Sequence, residues 1–87
     1  MEARRIVGWN VRRIRVARGF TIEELADRAG LDASYVARIE RAVVNPSIGV
    51  VEKLCRALGA GLTEMVREPA RGDSPPRPLR SGRRAAR

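Results

Sequence analysis

The chain has 87 residues, 44% of them hydrophobic, and a formal net charge of +8. That length holds one small domain, and the charge favours a polyanionic partner, nucleic acid before an acidic membrane surface. With one cysteine, Cys55, and no histidine, an internal disulfide, a Cys/His zinc site and histidine-based catalysis are all excluded.

Trp9, Phe20 and Tyr35 are the only aromatic residues, so the core has to be aliphatic. No apolar run is long enough for a signal peptide or a membrane span. A cytoplasmic, nucleoid-associated protein is expected, with no membrane partner.

The first helix is predicted from about Ala3 to Arg18, with Val7, Val11 and Ile14 at i, i+4 and i+7. Gly19 stops it. Thr21-x-x-Glu24 is a capping box that opens the second helix, whose apolar face holds Ile22, Leu25, Ala26 and Ala29. After Gly30 the pattern restarts at once. Asp32 is a good N-cap for a third helix that ends near Arg41. Asn45-Pro46 marks a turn, because the residue before proline avoids helical geometry. Ser47 caps the fourth helix, with Ile48, Val51, Leu54, Cys55 and Leu58 on its apolar face, and Gly59 ends it. A short fifth helix runs from Leu62 to about Arg67 with Leu62, Met65 and Val66 apolar. No strand pattern occurs, so the fold class is all-α with five helices.

Composition changes near Arg67. Residues 68–87 hold four of the five prolines, six arginines, two acids and one large apolar residue, Leu79. Such a segment buries too little surface to offset its ordering entropy. The expected organisation is a domain over 1–67 and a disordered Arg/Pro-rich tail over 68–87. The tail would serve as a non-specific electrostatic aid or as a solubility segment.

The third helix carries the residues that point to a function. Val36 and Ile39 face inward, with Leu31 just before them. The opposite side carries Ala33, Ser34, Ala37, Arg38 and Arg41, with Ser34, Arg38 and Arg41 in a row at i, i+4 and i+7. Small residues let a helix approach a surface closely, and arginine offers a planar fork for guanine edges or phosphates. A merely solvated face would alternate signs, whereas the acids here are Asp32 at the cap and Glu40. Contact with DNA is the better reading. Cys55, on an apolar face, reads as a buried inert thiol, and Trp9 as a packing residue. Arg4, Arg5, Arg12 and Arg13 read as a solvated face. No acid/base or metal constellation is visible, so neither an enzyme nor a cofactor is expected.

The segments Ile14-Arg15, Gly19-Phe20-Thr21, Glu24-Leu25-Ala26, Ala29-Gly30-Leu31, Tyr35-Val36, Arg38-Ile39-Glu40-Arg41 and Asn45-Pro46-Ser47-Ile48 together resemble the Cro/CI-type, or XRE-type, helix-turn-helix family. The resemblance spans about residues 6 to 66. It implies a five-helix, lambda-repressor-like domain that regulates transcription, most often as a repressor and a homodimer on double-stranded DNA. It places base reading on Ala33, Ser34 and Arg38. It places contacts to the DNA backbone on Thr21, Arg41, Asn45 and Ser47, with Ile48 in the same loop; Tyr35, read from the residues themselves, is expected to pack its ring at the edge of the third helix and direct its hydroxyl to a phosphate of the DNA backbone. Arg15 and Glu40 fall where the family joins its first and third helices by a salt bridge, and Leu62, Met65 and Val66, which spacing alone reads as core, are tilted by the resemblance toward a shared role on the dimer seam.

The sequence departs from the family pattern at Ile22 and Ala33, where polar readers are common, at Ala42, where glycine is common, and at Val43 and Val44 in a loop that is often basic. These changes leave Ser34 and Arg38 as the polar readers, with Ala33 able to meet a thymine methyl, and shift weight onto DNA shape. Two rival functions remain: an antitoxin or controller-type protein that mainly binds a protein partner, and a non-specific basic nucleic-acid-binding protein. No small-molecule substrate is expected.

Overall fold

Four short breaks, each closed by the same pair of backbone bonds, divide the chain into five helices. In the computed structural model, which describes residues 2–70, these are α1 (Ala3–Arg18), α2 (Ile22–Ala29), α3 (Ala33–Glu40), α4 (Ile48–Leu58) and α5 (Leu62–Val66). No strand occurs among the described residues.

Three of the five starts, those of α2, α4 and α5, carry a side-chain capping bond. The Thr21 hydroxyl accepts from the Glu24 N–H at 3.0 Å, and the Glu24 carboxylate accepts from the Thr21 N–H at 2.8 Å. This reciprocal pair satisfies two donors that a helix start otherwise leaves open. Ser47 accepts from the Val50 N–H at 3.1 Å. At α5 the Glu64 carboxylate accepts from the Gly61 N–H at 3.1 Å. Asp32 holds the N-cap position of α3, but its side chain makes no capping bond there.

The stops follow one scheme. At the end of α2, Gly30 donates to Asp27 O and Leu31 to Ala26 O, with Gly30 at φ 69°. This Schellman closure satisfies the last carbonyls and needs a left-handed residue. The same paired bonds end α1, α3 and α4. Glycine supplies the left-handed residue at three of the four ends, and Ala42, at φ 62°, supplies it after α3. The third helix thus ends at Glu40, and Arg41 is its C-cap.

The core is aliphatic. Val11, Leu25, Val36, Leu54 and Met65 are fully buried, joined by Ile14, Ile39, Val51 and Leu58. Truncating one of the buried leucines to alanine removes about 2–5 kcal/mol. Two placements differ from the sequence reading. Ile48 is 75% exposed; it is the first residue of α4, so its spacing to Val51 is helical while its side chain lies beyond the edge of the core. Met65 is fully buried, so it belongs to the core and not to an interface surface.

Polar ties lock the ends of the bundle. The buried Asn10 amide donates to Met65 O and to Arg67 O, each at 2.8 Å, fixing the end of α5 on α1. Arg18 Nε donates to Leu58 O at 2.9 Å, tying α1 to the end of α4. Residues 67–70 continue without helix. The tail expected over 68–87 lies, from residue 71 on, outside the described residues.

Candidate nucleic-acid interface

The turn after α2 makes α3 a separate rod whose inner side is fixed and whose outer side is open. Val36 and Ile39 anchor α3 in the core, and Leu31 packs against it. Gly8 sits inside α1 directly against the end of α3; a Cβ there would lie 2.5 Å from Ile39 O and 2.9 Å from Glu40 O. Glycine at this position is what allows the two helices to approach so closely. The sequence reading missed it, although a lone glycine inside a helical pattern is itself a packing signal.

Arg15 completes the attachment. Its Nε donates to Glu40 Oε2 at 2.6 Å and its Nη2 to Glu40 Oε1 at 3.0 Å, while Nη1 donates to Phe20 O at 2.9 Å. Both side chains are about 95% buried, at 4% and 5% exposure. A paired fork of this kind fixes orientation. Burial makes it expensive to remove one partner alone. The pair joins α1 to α3 at the positions expected from the sequence.

The outer side of α3 presents Ser34 and Arg38 exposed, with Ala37 and Tyr35 half-buried between them. The Arg38 guanidinium lies 5.9 Å from the centre of the Tyr35 ring. Ala33 is half-buried and packs against the core, so it offers little more than a methyl edge. Ile22 packs against the core as well, which explains an apolar residue at that position. Arg41, Asn45 and Ser47 are exposed along the chain that leaves α3. The hydroxyl of Ser47 already accepts the α4 cap bond; it keeps its proton for an outside acceptor.

Thr21 departs from its expected place at the DNA backbone. It is 4% exposed and its hydroxyl accepts the α2 capping bond. It builds the start of α2 and has almost no surface left for a phosphate. Ser34 carries a bond that the sequence did not signal: its hydroxyl donates to Asp32 Oδ2.

A second exposed feature lies away from α3. Leu62 is 51% and Val66 50% exposed, and with Ile48 they border a hollow of about 200 Å³ that also includes Pro46 and Val51. Cys55 is buried beside this face, and burial first, then the nearby Glu52 and Glu64, push its thiol above the ordinary value of 9.0. A raised pKa keeps the thiol protonated and unreactive near neutrality. Among the described residues no group of three or more His, Cys, Asp or Glu side chains could hold a metal, and no helix is long and apolar enough to cross a membrane.

Comparison with known proteins agrees with this geometry. The family model described as "Helix-turn-helix" matches residues 11–65. A hypothetical transcription factor of Neisseria meningitidis is 35% identical over 68 residues, which are 78% of this chain and 64% of that protein. The uncharacterized HTH-type transcriptional regulator y4dJ of Sinorhizobium fredii is 36% identical over 66 residues, covering 76% of this chain and 86% of that one. The immunity repressor of Bacillus phage phi105 is 40% identical over 62 residues, 71% of this chain and 43% of the repressor. The chain therefore spans less than two thirds of the Neisseria and phage relatives and most of the Sinorhizobium one.

Among solved structures, the hypothetical transcription factor NHTF from Neisseria superposes with a TM-score of 0.75 at 35% identity, covering 78% of each chain. The restriction-modification controller protein C.AhdI from Aeromonas hydrophila superposes with a TM-score of 0.69 at 37% identity, covering 71% of this chain and 94% of that one. Five helices in this order, an α2–turn–α3 unit held by a buried Arg–Glu fork and these matches place the chain in the Cro/CI-type, or XRE-type, helix-turn-helix family of transcriptional regulators.

Proposed function

We propose that the protein is a sequence-specific regulator that lays α3 in the major groove of duplex DNA and acts by occupying its site, most simply as a repressor. The observation that carries this reading is the asymmetry of α3. Its inner side is fixed by Val36, Ile39 and the buried Arg15–Glu40 fork, and its outer side exposes Ser34 and Arg38. Arg38 supplies five donors in a planar fork suited to the acceptors of guanine. Arg41, Asn45 and Ser47 would hold the flanking phosphates, with Tyr35 at the edge. These contacts fix register and carry no sequence information directly.

The reading includes a homodimer. The exposed Ile48, Leu62 and Val66 form an apolar face on α4 and α5, and burying them against a second copy would remove that surface from water. Two α3 helices would then meet half-sites about 34 Å apart. The phage immunity repressor and the controller protein among the matches support control by occupancy. The work is binding and not catalysis, in the cytoplasm where the DNA lies.

The net charge of +8 favours one rival, non-specific binding driven by phosphate attraction. Selection of bound duplexes from a random pool separates the two. The expected result is an enriched pair of inverted half-sites. A pool that stays unenriched after repeated rounds contradicts sequence-specific regulation and supports the rival.

A further inference from the structure

Four helices start with a polar side chain at the N-cap, and two of them use it in the ordinary way. Thr21 and Ser47 each accept a backbone N–H from their own helix. Asp32 does not: it makes no capping bond, stays exposed and accepts the proton of the Ser34 hydroxyl. Glu2, at the start of α1, also leaves its cap unmade and accepts from the Arg4 guanidinium; what sets Asp32 apart is that the donor it takes is a side chain on the reading face.

We propose that Asp32 is a positioning residue that fixes the polarity of Ser34, turning a two-way hydrogen-bonding group into an acceptor that selects an amino-bearing base. This rests on the reading of α3 as the DNA-contacting helix. A serine hydroxyl has one proton and two lone-pair regions. Hydrogen bonds to an ionised carboxylate are short and strong, so the proton stays on the Asp32 side. What Ser34 then presents outward is lone pairs only. The second carboxylate oxygen of Asp32 adds another acceptor beside them.

In the major groove, cytosine offers its N4 amino group and adenine its N6 amino group, whereas guanine shows N7 and O6 and thymine shows O4, all acceptors. An acceptor-only pair therefore favours cytosine or adenine and disfavours guanine and thymine at the base it meets. Serine alone would tolerate any of the four. One turn further along the same face, Arg38 is donor-only, so α3 carries two readers of opposite sense: Arg38 for a guanine, and Ser34 with Asp32 for an amino-bearing base. An unpartnered Asp32 beside a phosphate backbone would otherwise be a plain electrostatic liability.

The test uses the full chain, the duplex recovered by selection, and its variants carrying each of the four bases at the position that Ser34→Ala desensitises. The wild type is expected to bind the cytosine or adenine duplex about 10-fold or more tighter than the guanine or thymine duplex. Asp32→Ala should collapse that ratio toward one, because the hydroxyl proton is freed. Asp32→Asn replaces one carboxylate oxygen with an NH2 donor and removes the charge, so it should lower the ratio while tightening binding to every duplex. Circular dichroism of each variant confirms that it is folded.

A wild type that prefers guanine or thymine at that position overturns the proposal. So does an Asp32→Ala variant that tightens binding to all four duplexes alike with the ratio unchanged, since Asp32 is then only a repelling charge. If selection yields no preferred duplex at all, the function of α3 as a reader fails first and this proposal falls with it; a preferred duplex with the ratio unmoved by Asp32→Ala leaves the reader standing and refutes the Asp32 role alone.

Discussion

Single residues decide how firmly α3 is held and where it ends. Ala42 sits at φ 62°, a left-handed conformation that disfavours any residue with a Cβ. It is held there by the Schellman bonds Ala42 N–H to Ile39 O at 3.0 Å and Val43 N–H to Arg38 O at 3.1 Å. Ala42→Gly relieves the strain and is expected to stabilise the protein by about 1 kcal/mol, seen as a rise in Tm of about 4–8 °C. An unchanged or lower Tm would contradict the strain argument. The sequence pointed to this position, because a glycine is usual there, but the closure itself became visible only with the backbone angles. Glu40→Ala acts the opposite way. It strands the Arg15 guanidinium, about 95% buried, and is expected to cost about 3–5 kcal/mol in denaturant unfolding. A loss below about 1 kcal/mol, the range of an exposed pair, would show that the fork is solvated in solution.

Element boundaries were legible because the chemistry that sets them is local. Thr21 with Glu24, Ser47, Gly19, Gly30 and Gly59 mark starts and stops within a few residues of sequence. What packs on what was less legible. Helical spacing put Ile48 on the core face of α4, yet it stands 75% exposed because, as the first residue of the helix, it lies beyond the edge of the core. Met65 looked like part of a surface seam, yet it is fully buried between helices, and Asn10, whose amide holds the end of α5, gives no signal in a one-dimensional pattern. The Asp32–Ser34 bond escapes the sequence for the same reason: both residues are ordinary at a helix start, and only geometry shows that the Ser34 hydroxyl donates to the Asp32 carboxylate. The uncovered α4–α5 face gives a test at this scale. Substituting Ile48→Asp together with Leu62→Asp places charge on the proposed seam without touching a buried side chain. The sedimentation coefficient is expected to fall from that of a dimer to that of a monomer at the same concentration, with the helical signal intact. A dimer that survives both changes would place the seam elsewhere.

At the scale of the whole molecule, charge and shape divide the work between attraction and discrimination. Residues 71–87 carry six arginines and one acid, so their removal is expected to make binding less salt-dependent, by about 0.9 in log–log slope for each phosphate that is no longer neutralised. Discrimination between sequences should survive that removal, because Ser34 and Arg38 stay in place. The central claim is that α3 reads sequence while the rest of the positive charge only attracts, and Arg38→Ala tests it most directly. Binding of wild type and variant is measured by titration against the selected duplex and a scrambled duplex over a series of salt concentrations. The account predicts that Arg38→Ala loses about 1–3 kcal/mol on the selected duplex and little on the scrambled one, so that the two affinities converge. Equal weakening on both duplexes, with the wild type losing all preference as salt rises, would contradict it and leave a basic protein that binds DNA without reading it.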